Sequence, residues 1–318
     1  MKKNVDSRLG KARIGKCLSE LIPFAGLILM LAVFGILTGG KILRPKNLLL
    51  ILNQTYVLLI AATGVFFVMT IGGLDFSQGA IIGVAGIVIA YVARVSIPLA
   101  IVCGILTGTL IGLLNGALNV FLKIPSFIVT ICTMFLFRGV CKYLTTDAPV
   151  NAPLSLNALD VLALKLPVTL AVLLAGYLLF QHTPLGPRVK AVGAGEIGAR
   201  FAGIKVEKMK LLIFTAAGAL TGLAAFINLL KVGSVTATGG NLVETNLLIA
   251  LVLGGLPIGG GAKARFTSVI IGCLLYAVMN NGLVMLKLEP SVQQLIQGLI
   301  FMVVVAITAD RKSGMAIK

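Results

Sequence analysis

Residues 193–198 read GAGEIG, a match to Gly-x-Gly-x-x-Gly, the turn that cradles a dinucleotide pyrophosphate. That chemistry needs a strand before the glycines, a helix after them and an acid about 20 residues on. Here a Pro-broken segment, HTPLGPRVKAV, precedes the motif. The apolar TAAGALTG lies where the acid should be. The context excludes a nucleotide fold and leaves a bend before a short helix, EIGARFAGI. A phosphate loop is excluded as well, because GGGAKA at 259–264 lacks the Gly-Lys-Ser/Thr ending. One histidine, His182, and ten acidic residues offer no Ser-His-Asp triad, paired-carboxylate site or His-based metal site, so neither an enzyme nor a cofactor is expected. The cysteines, Cys17, Cys103, Cys132, Cys141 and Cys273, form no Cys-x-x-Cys pair.

Polar residues inside apolar runs are the remaining candidates. Asp75 sits between two such runs in IGGLDFSQGAIIG. Gly72 and Gly73 break the preceding helix, and Asp75 with Gln78 reads as a capping box for the next one. A broken helix whose end lines a cavity is a second reading of the same residues. Amides recur at Asn53, Gln54, Asn115, Asn119, Asn246 and Asn280. Such groups either hydrogen-bond across helices or line a path for a hydroxyl-rich solute, and the pattern leaves both open. Asp75 and these six amides are the expected pathway set.

The elements that position them are membrane spans. The chain is 58% hydrophobic and 12% charged, about half the charge of a soluble domain, and such a surface cannot be made polar. The fold class is all-α: a polytopic transmembrane bundle of about ten spans with at least one broken helix. Apolar runs place helices at 21–39, 48–71, 76–93, 96–121, 124–142, 166–182, 211–230, 243–258, 266–286 and 291–309. The run at 21–39 is span-length and lacks an Ala-x-Ala-like site, so it reads as a retained helix.

The net charge of +17 lies in gaps between these runs, which excludes a nucleic-acid stripe and reads as positive-inside topology. Residues 1–20, the 183–210 loop, Lys263 with Arg265, and the 311–318 tail fall on one side, with both termini cytoplasmic. Lys41, Arg44 and Lys46 oppose this and are outvoted. The transmembrane domain is then 21–310, with 143–165 an external loop and 183–210 an internal one. Gly104, Gly108, Gly112 and Gly116 form a stripe for close helix packing, repeated at Gly79/Gly83 and Gly218/Gly222. NGALNVFLKIPS at 115–126 echoes NGLVMLKLEPS at 281–291, a hint of duplicated halves.

Four segments resemble the ribose-type monosaccharide permeases, the membrane subunits of ABC importers. PLGPRVKAVGAGEIGARFAGIKVEKMK resembles their cytoplasmic coupling loop, and GGLDFSQGAIIG their Gly-Gly-Leu/Ile-Asp-Leu-Ser-x-Gly signature. LNGALNVFLKIPSFIVTICTMFLFRGV and NLLIALVLGGLPIGGG resemble two later segments, and the match runs in order over about residues 40–310. Gly195 and Gly198 stand where the family often has Asn and Ala, and Phe76 and Gln78 depart from the signature. The resemblance implies cytoplasmic ABC ATPase subunits, a second permease copy or a sister subunit, and an extracytoplasmic sugar-binding protein, in a cell membrane with its lipid. It implies that Arg188, Gly193, Gly195, Glu196, Arg200, Gly203 and Lys205 couple to the ATPase. The expected function is passage of a monosaccharide (ribose- or xylose-like) or related small polar solute by alternating access. Nucleosides or a sugar-derived signal molecule are alternative solutes, and an ion-coupled secondary transporter acting alone, with Asp75 as ion site, is the rival class.

Overall fold

A computed structural model describes residues 23–308. The basic N-terminal tail, the start of the first expected span and the C-terminal tail lie outside the described residues, as does the placement of both termini. Helix makes up almost all regular structure. It comprises α1 (Pro23–Leu37), α2 (Pro45–Thr70), α3 (Gln78–Val92), α4 (Ile97–Phe121), α5 (Ser126–Leu144), the single turn α6 (Leu154–Asn157), α7 (Leu162–His182), α8 (Leu185–Ala194), α9 (Glu196–Phe201), α10 (Val206–Val232), α11 (Val243–Leu253), α12 (Thr267–Met285) and α13 (Pro290–Thr308). Two-residue strands β1 (Val150–Asn151) and β2 (Ser234–Val235) pair antiparallel. Proline opens α2 and falls in the first turn of α4, where its missing N–H has no intrahelical acceptor anyway.

All ten apolar runs are helical, and six are long and apolar enough to cross a bilayer: α2, α4, α5, α7, α10 and α12. The expected span at 243–258 stops at Leu253, because Gly254 and the left-handed Gly255 (φ 87°) turn the chain ahead of Pro257. The expected helix at 211–230 is longer, starting at Val206, so α10 takes up the last part of the 183–210 loop. The rest of that loop is helical too, as α8 and α9.

α2 occupies the centre, packed by α7, α10, α11 and α12. Ile60, Val65, Phe66, Val68 and Met69 have no exposed surface. α4 and α10 make the most extensive helix contact, and glycine permits it. A Cβ at Gly218 would overlap the Gly108 carbonyl oxygen and stand 2.9 Å from the Gly112 Cα. Gly104 and Gly222 meet at one end of this crossing and Gly116 and Leu211 at the other, so the two helices run antiparallel.

One order of helices and breaks occurs twice in the chain. The first is α2, a break, α3, α4 and α5; the second is α10, a break, α11, α12 and α13. α2 and α10 have 26 and 27 residues, each about 40 Å long at 1.5 Å per residue. α3 and α11 are short because both begin inside the bundle. Their N-terminal turns meet there, Gly79 against Gly240 and Glu244. From that meeting point α3 runs to the end that holds β1 and β2, and α11 runs to the end that holds α8. The echo between 115–126 and 281–291 has a backbone counterpart. Lys123 (φ 55°) and Lys287 (φ 57°) are both left-handed and lie in the turns after α4 and α12.

Close packing at Gly218 gives a direct test. Gly218→Ala should lower stability by about 1–3 kcal/mol, the usual cost of overpacking. Gly139→Ala, with nothing within 4 Å of the added methyl, should not destabilise. Thermal unfolding in detergent distinguishes the two.

Candidate functional site: a buried polar junction and the coupling end

α2 ends in a C-terminal glycine turn. Gly72 is left-handed (φ 80°), and the Gly73 amide donates back to Val68 O at 3.0 Å. Residues 73–77 then re-enter the bundle without helix. Backbone in that position must find partners within the protein. The Leu74 amide donates to Ser126 Oγ (3.1 Å), and Leu74 O accepts from Thr130 Oγ1 (3.3 Å). Asp75 Oδ1 accepts from the Ser77 amide (2.9 Å) and hydroxyl (2.6 Å), and Oδ2 accepts from Gln78 Nε2 (2.6 Å).

The capping box is therefore corrected. Ser77, not Asp75, borders α3, and Gln78 bonds the Asp75 carboxylate rather than its backbone. The physical reason is the re-entrant chain. Asp75 lies too far from the open amides of α3, so it closes a local turn and gathers side-chain donors.

Two donor chains converge on this carboxylate. Asn115 Nδ2 on α4 donates to Ser77 Oγ (2.8 Å), which donates to Asp75. Thr221 Oγ1 on α10 donates to Gln78 Oε1, and the Gln78 amide donates to Asp75. Asp75, Ser77, Gln78, Asn115 and Thr221 are all at most 1% exposed. One carboxylate thus ties α3, α4 and α10 together. Asn115 Oδ1 is buried with no hydrogen-bond partner, leaving one acceptor in the cluster.

The other expected pathway residues are dispersed. Asn119, one turn along α4, borders a cavity of about 230 Å³ with Gly72, Gly73, Ser126, Glu196 and Lys210. Asn53 on α2 accepts from Lys165 Nζ (2.9 Å), whose ammonium also pairs with Asp160 (2.6 Å). Gln54 follows it, its Oε1 buried without a partner. Asn280 accepts from Gln297 of α13 (3.1 Å), a contact between helices. Asn246 is half-buried on α11. Only Asp75 and Asn115 share one network.

The sequence reading passed over two intramembrane ions. Arg138 of α5 pairs with Glu244 of α11 at 2.6 Å, and Lys165 of α7 is 3% exposed. The signal that could have found them is a lone charge inside an apolar run, such as the arginine in SFIVTICTMFLFRGVCKYL.

At the same C-terminal end of α2, GAGEIG bridges α8 and α9. Gly193 packs so tightly that a Cβ would overlap Thr70 O and stand 2.7 Å from the Gly261 amide. The same Thr70 carbonyl accepts from the Gly261 amide at 2.9 Å. Gly195 joins the helices in extended conformation, with open space around it, as around Gly198. Gly203 (φ 80°) ends α9, its amide donating to Arg200 O (2.9 Å) and that of Ile204 to Ala199 O (3.0 Å).

Glu196 pairs with Lys210, and Arg200 with Glu207 (2.8 Å), which fastens α9 to the first turns of α10. Arg188 and Lys205 are exposed. α9 leaves two apolar side chains outside, Ile197 at 74% and Phe201 at 89% exposure.

Asp75→Ala would orphan two Ser77 donors and the Gln78 amide. Each buried donor left unpaired costs about 1–3 kcal/mol. Asp75→Ala should therefore lower the unfolding midpoint by more than Asp75→Asn, which keeps an acceptor oxygen.

The sequence model of a family described as branched-chain amino acid transport system / permease component matches residues 47–305. The ribose import permease protein RbsC of Bacillus subtilis is 33% identical over 93% of this chain and 94% of its own length. The D-allose transport system permease protein AlsC of Escherichia coli is 30% identical over 90% of this chain and 89% of its own. The fructose import permease protein FrcC of Rhizobium meliloti is 29% identical over 90% of this chain and 84% of its own. No solved structure gives a significant match. With a re-entrant helix pair at its centre and a family match over nearly its whole helical body, this chain belongs to that family of transport-system permease components.

Proposed function

We propose that this protein is the membrane permease of an ABC importer for a monosaccharide or closely related polyol-rich solute. The observation that carries the reading is the continuous similarity to import permeases for ribose, allose and fructose over at least 90% of this chain. The geometry supports it. α8 and α9 form a compact outgrowth at one end of the bundle, and their glycine contact reaches the break after α2.

On this reading 183–210 is cytoplasmic and docks on the ATPase. Ile197 and Phe201 enter an apolar groove of that partner, while Arg188, Arg200 and Lys205 ring them with positive charge. Arg200 and Glu196 also set the angle of α9 through their pairs with Glu207 and Lys210. The end bearing β1 and β2 is external and receives the binding protein. There a cavity of about 250 Å³ is bordered by Asn228, Ser234 and Thr236 among glycines. A second permease copy covers the exposed apolar face of α4, which is largely unburied in a single chain. Both termini are cytoplasmic. Asp75 and Asn115 hold the re-entrant break in place, and Asn119 lies where solute leaves toward the cytoplasm.

The ion-coupled alternative rests on Asp75. Five hydrogen bonds already surround that carboxylate or its immediate donors. This saturates it as a structural group, so the importer reading is preferred.

Phe201→Asp tests the docking. Loss of a buried aromatic anchor costs at least about 2 kcal/mol, roughly 30-fold in affinity. The variant should fold, because Phe201 is solvent-facing, but copurify poorly with the ATPase. Reversing Arg200 and Lys205 to Glu together should do the same. ATPase binding that survives both changes would place docking elsewhere.

A further inference from the structure

The Arg138–Glu244 pair is absent from the roles assigned so far. It is a 2.6 Å ion pair between α5 and α11, with side chains 27% and 5% exposed. Ions at such positions are rare and are held there by what they do. Glu244 occupies the first turn of α11, against Gly79 of α3. Directly before it the chain bends sharply. Gly240 is left-handed (φ 76°), and so is Leu242 (φ 63°), a bulky residue for which that conformation is strained.

The far end of α11, about 16 Å away, leads through Gly254 and Gly255 to Gly260 and Gly261. Those two glycines contact Thr70 and Gly193, the same junction on which α8 rests. α11 is thus a short buried rod. One end leads into the glycine loop that touches the coupling junction, and the other carries a strained hinge and an ionic bond to α5.

We propose that the Arg138–Glu244 pair is the joint through which movement of the coupling end, carried along α11, reaches α5. The proposal rests on the reading of 183–210 as the ATPase dock. Arg138 and Glu244 are positioning residues here. They touch no nucleotide, and the pair converts a shift of α11 into a shift of the α5 face that carries the exposed Cys132. A salt bridge suits this task because it is directional. Gly79, Gly83 and Gly240 meanwhile keep the surrounding backbone contacts free of side chains that would jam the motion.

The test uses the importer reconstituted with its ATPase and binding protein. Alkylation of Cys132 by a maleimide is followed by peptide mass spectrometry, nucleotide-free and trapped with ATP and vanadate. In the native complex, trapping should change the Cys132 rate. Glu244→Gln should keep ATPase binding and hydrolysis but abolish that difference. The double exchange Arg138→Glu with Glu244→Arg should restore it.

A nucleotide-dependent rate that persists in Glu244→Gln overturns the proposal. So does a native complex with no such dependence, or a double exchange that fails to restore it. Loss of assembly and hydrolysis together in Glu244→Gln makes the pair a folding element and also overturns it. Failure of the docking reading would show separately, as ATPase binding that survives Phe201→Asp.

Discussion

Non-helical backbone inside a membrane bundle must be hydrogen-bonded by the protein itself, and the rest of this structure is arranged around meeting that constraint at residues 73–77. Asp75 is the centre of the solution. Its two oxygens collect three donors directly and two more at one remove, from α4 and α10. Ser126 and Thr130 of α5 cover Leu74 on the other side. Without these partners the chain could not stop α2, return into the bundle and start α3 inside it.

That re-entry is possible only where helices approach closely. Glycines on α3, α4 and α10 let backbones meet without intervening side chains, and the polar side chains can then be short. The recurring order of elements makes the arrangement self-consistent. The break after α2 is matched by the break after α10, and the N-terminal turns of α3 and α11 abut. Each half therefore closes the gap that the other leaves. The Phe66–Phe180 and Phe66–Phe266 edge contacts, 4.8 and 5.3 Å between ring centres, fix α7 and the start of α12 against α2. They also fix the base from which α8 departs.

Much of this was legible in the sequence. The ten apolar runs became ten helices, six of them long and apolar enough to cross a bilayer. The Gly104–Gly116 stripe was read as a packing face and is one. GAGEIG was read as a bend before a short helix, and Gly195 makes it. What the sequence could not show was partnership. Asn115 and Asn53 look equivalent on paper, yet one completes the Asp75 network and the other holds Lys165. The capping box failed for the same reason. Spacing puts Gln78 within reach of Asp75 but does not say whether the chain between them is helical.

The sequence by itself determined that this chain is a helical membrane protein, that a helix breaks at Gly72 and Gly73, and which family it resembles. Those properties follow from hydrophobic length, glycine positions and local motifs, which are properties of neighbouring residues. Only the tertiary structure decided that α3 and α11 are half-length and meet head to head, that Gly193 is pressed against Thr70 and Gly261, and that Arg138 finds Glu244. Those contacts join residues up to 191 positions apart, as from Thr70 to Gly261. Their energies depend on burial and distance, which no local pattern encodes.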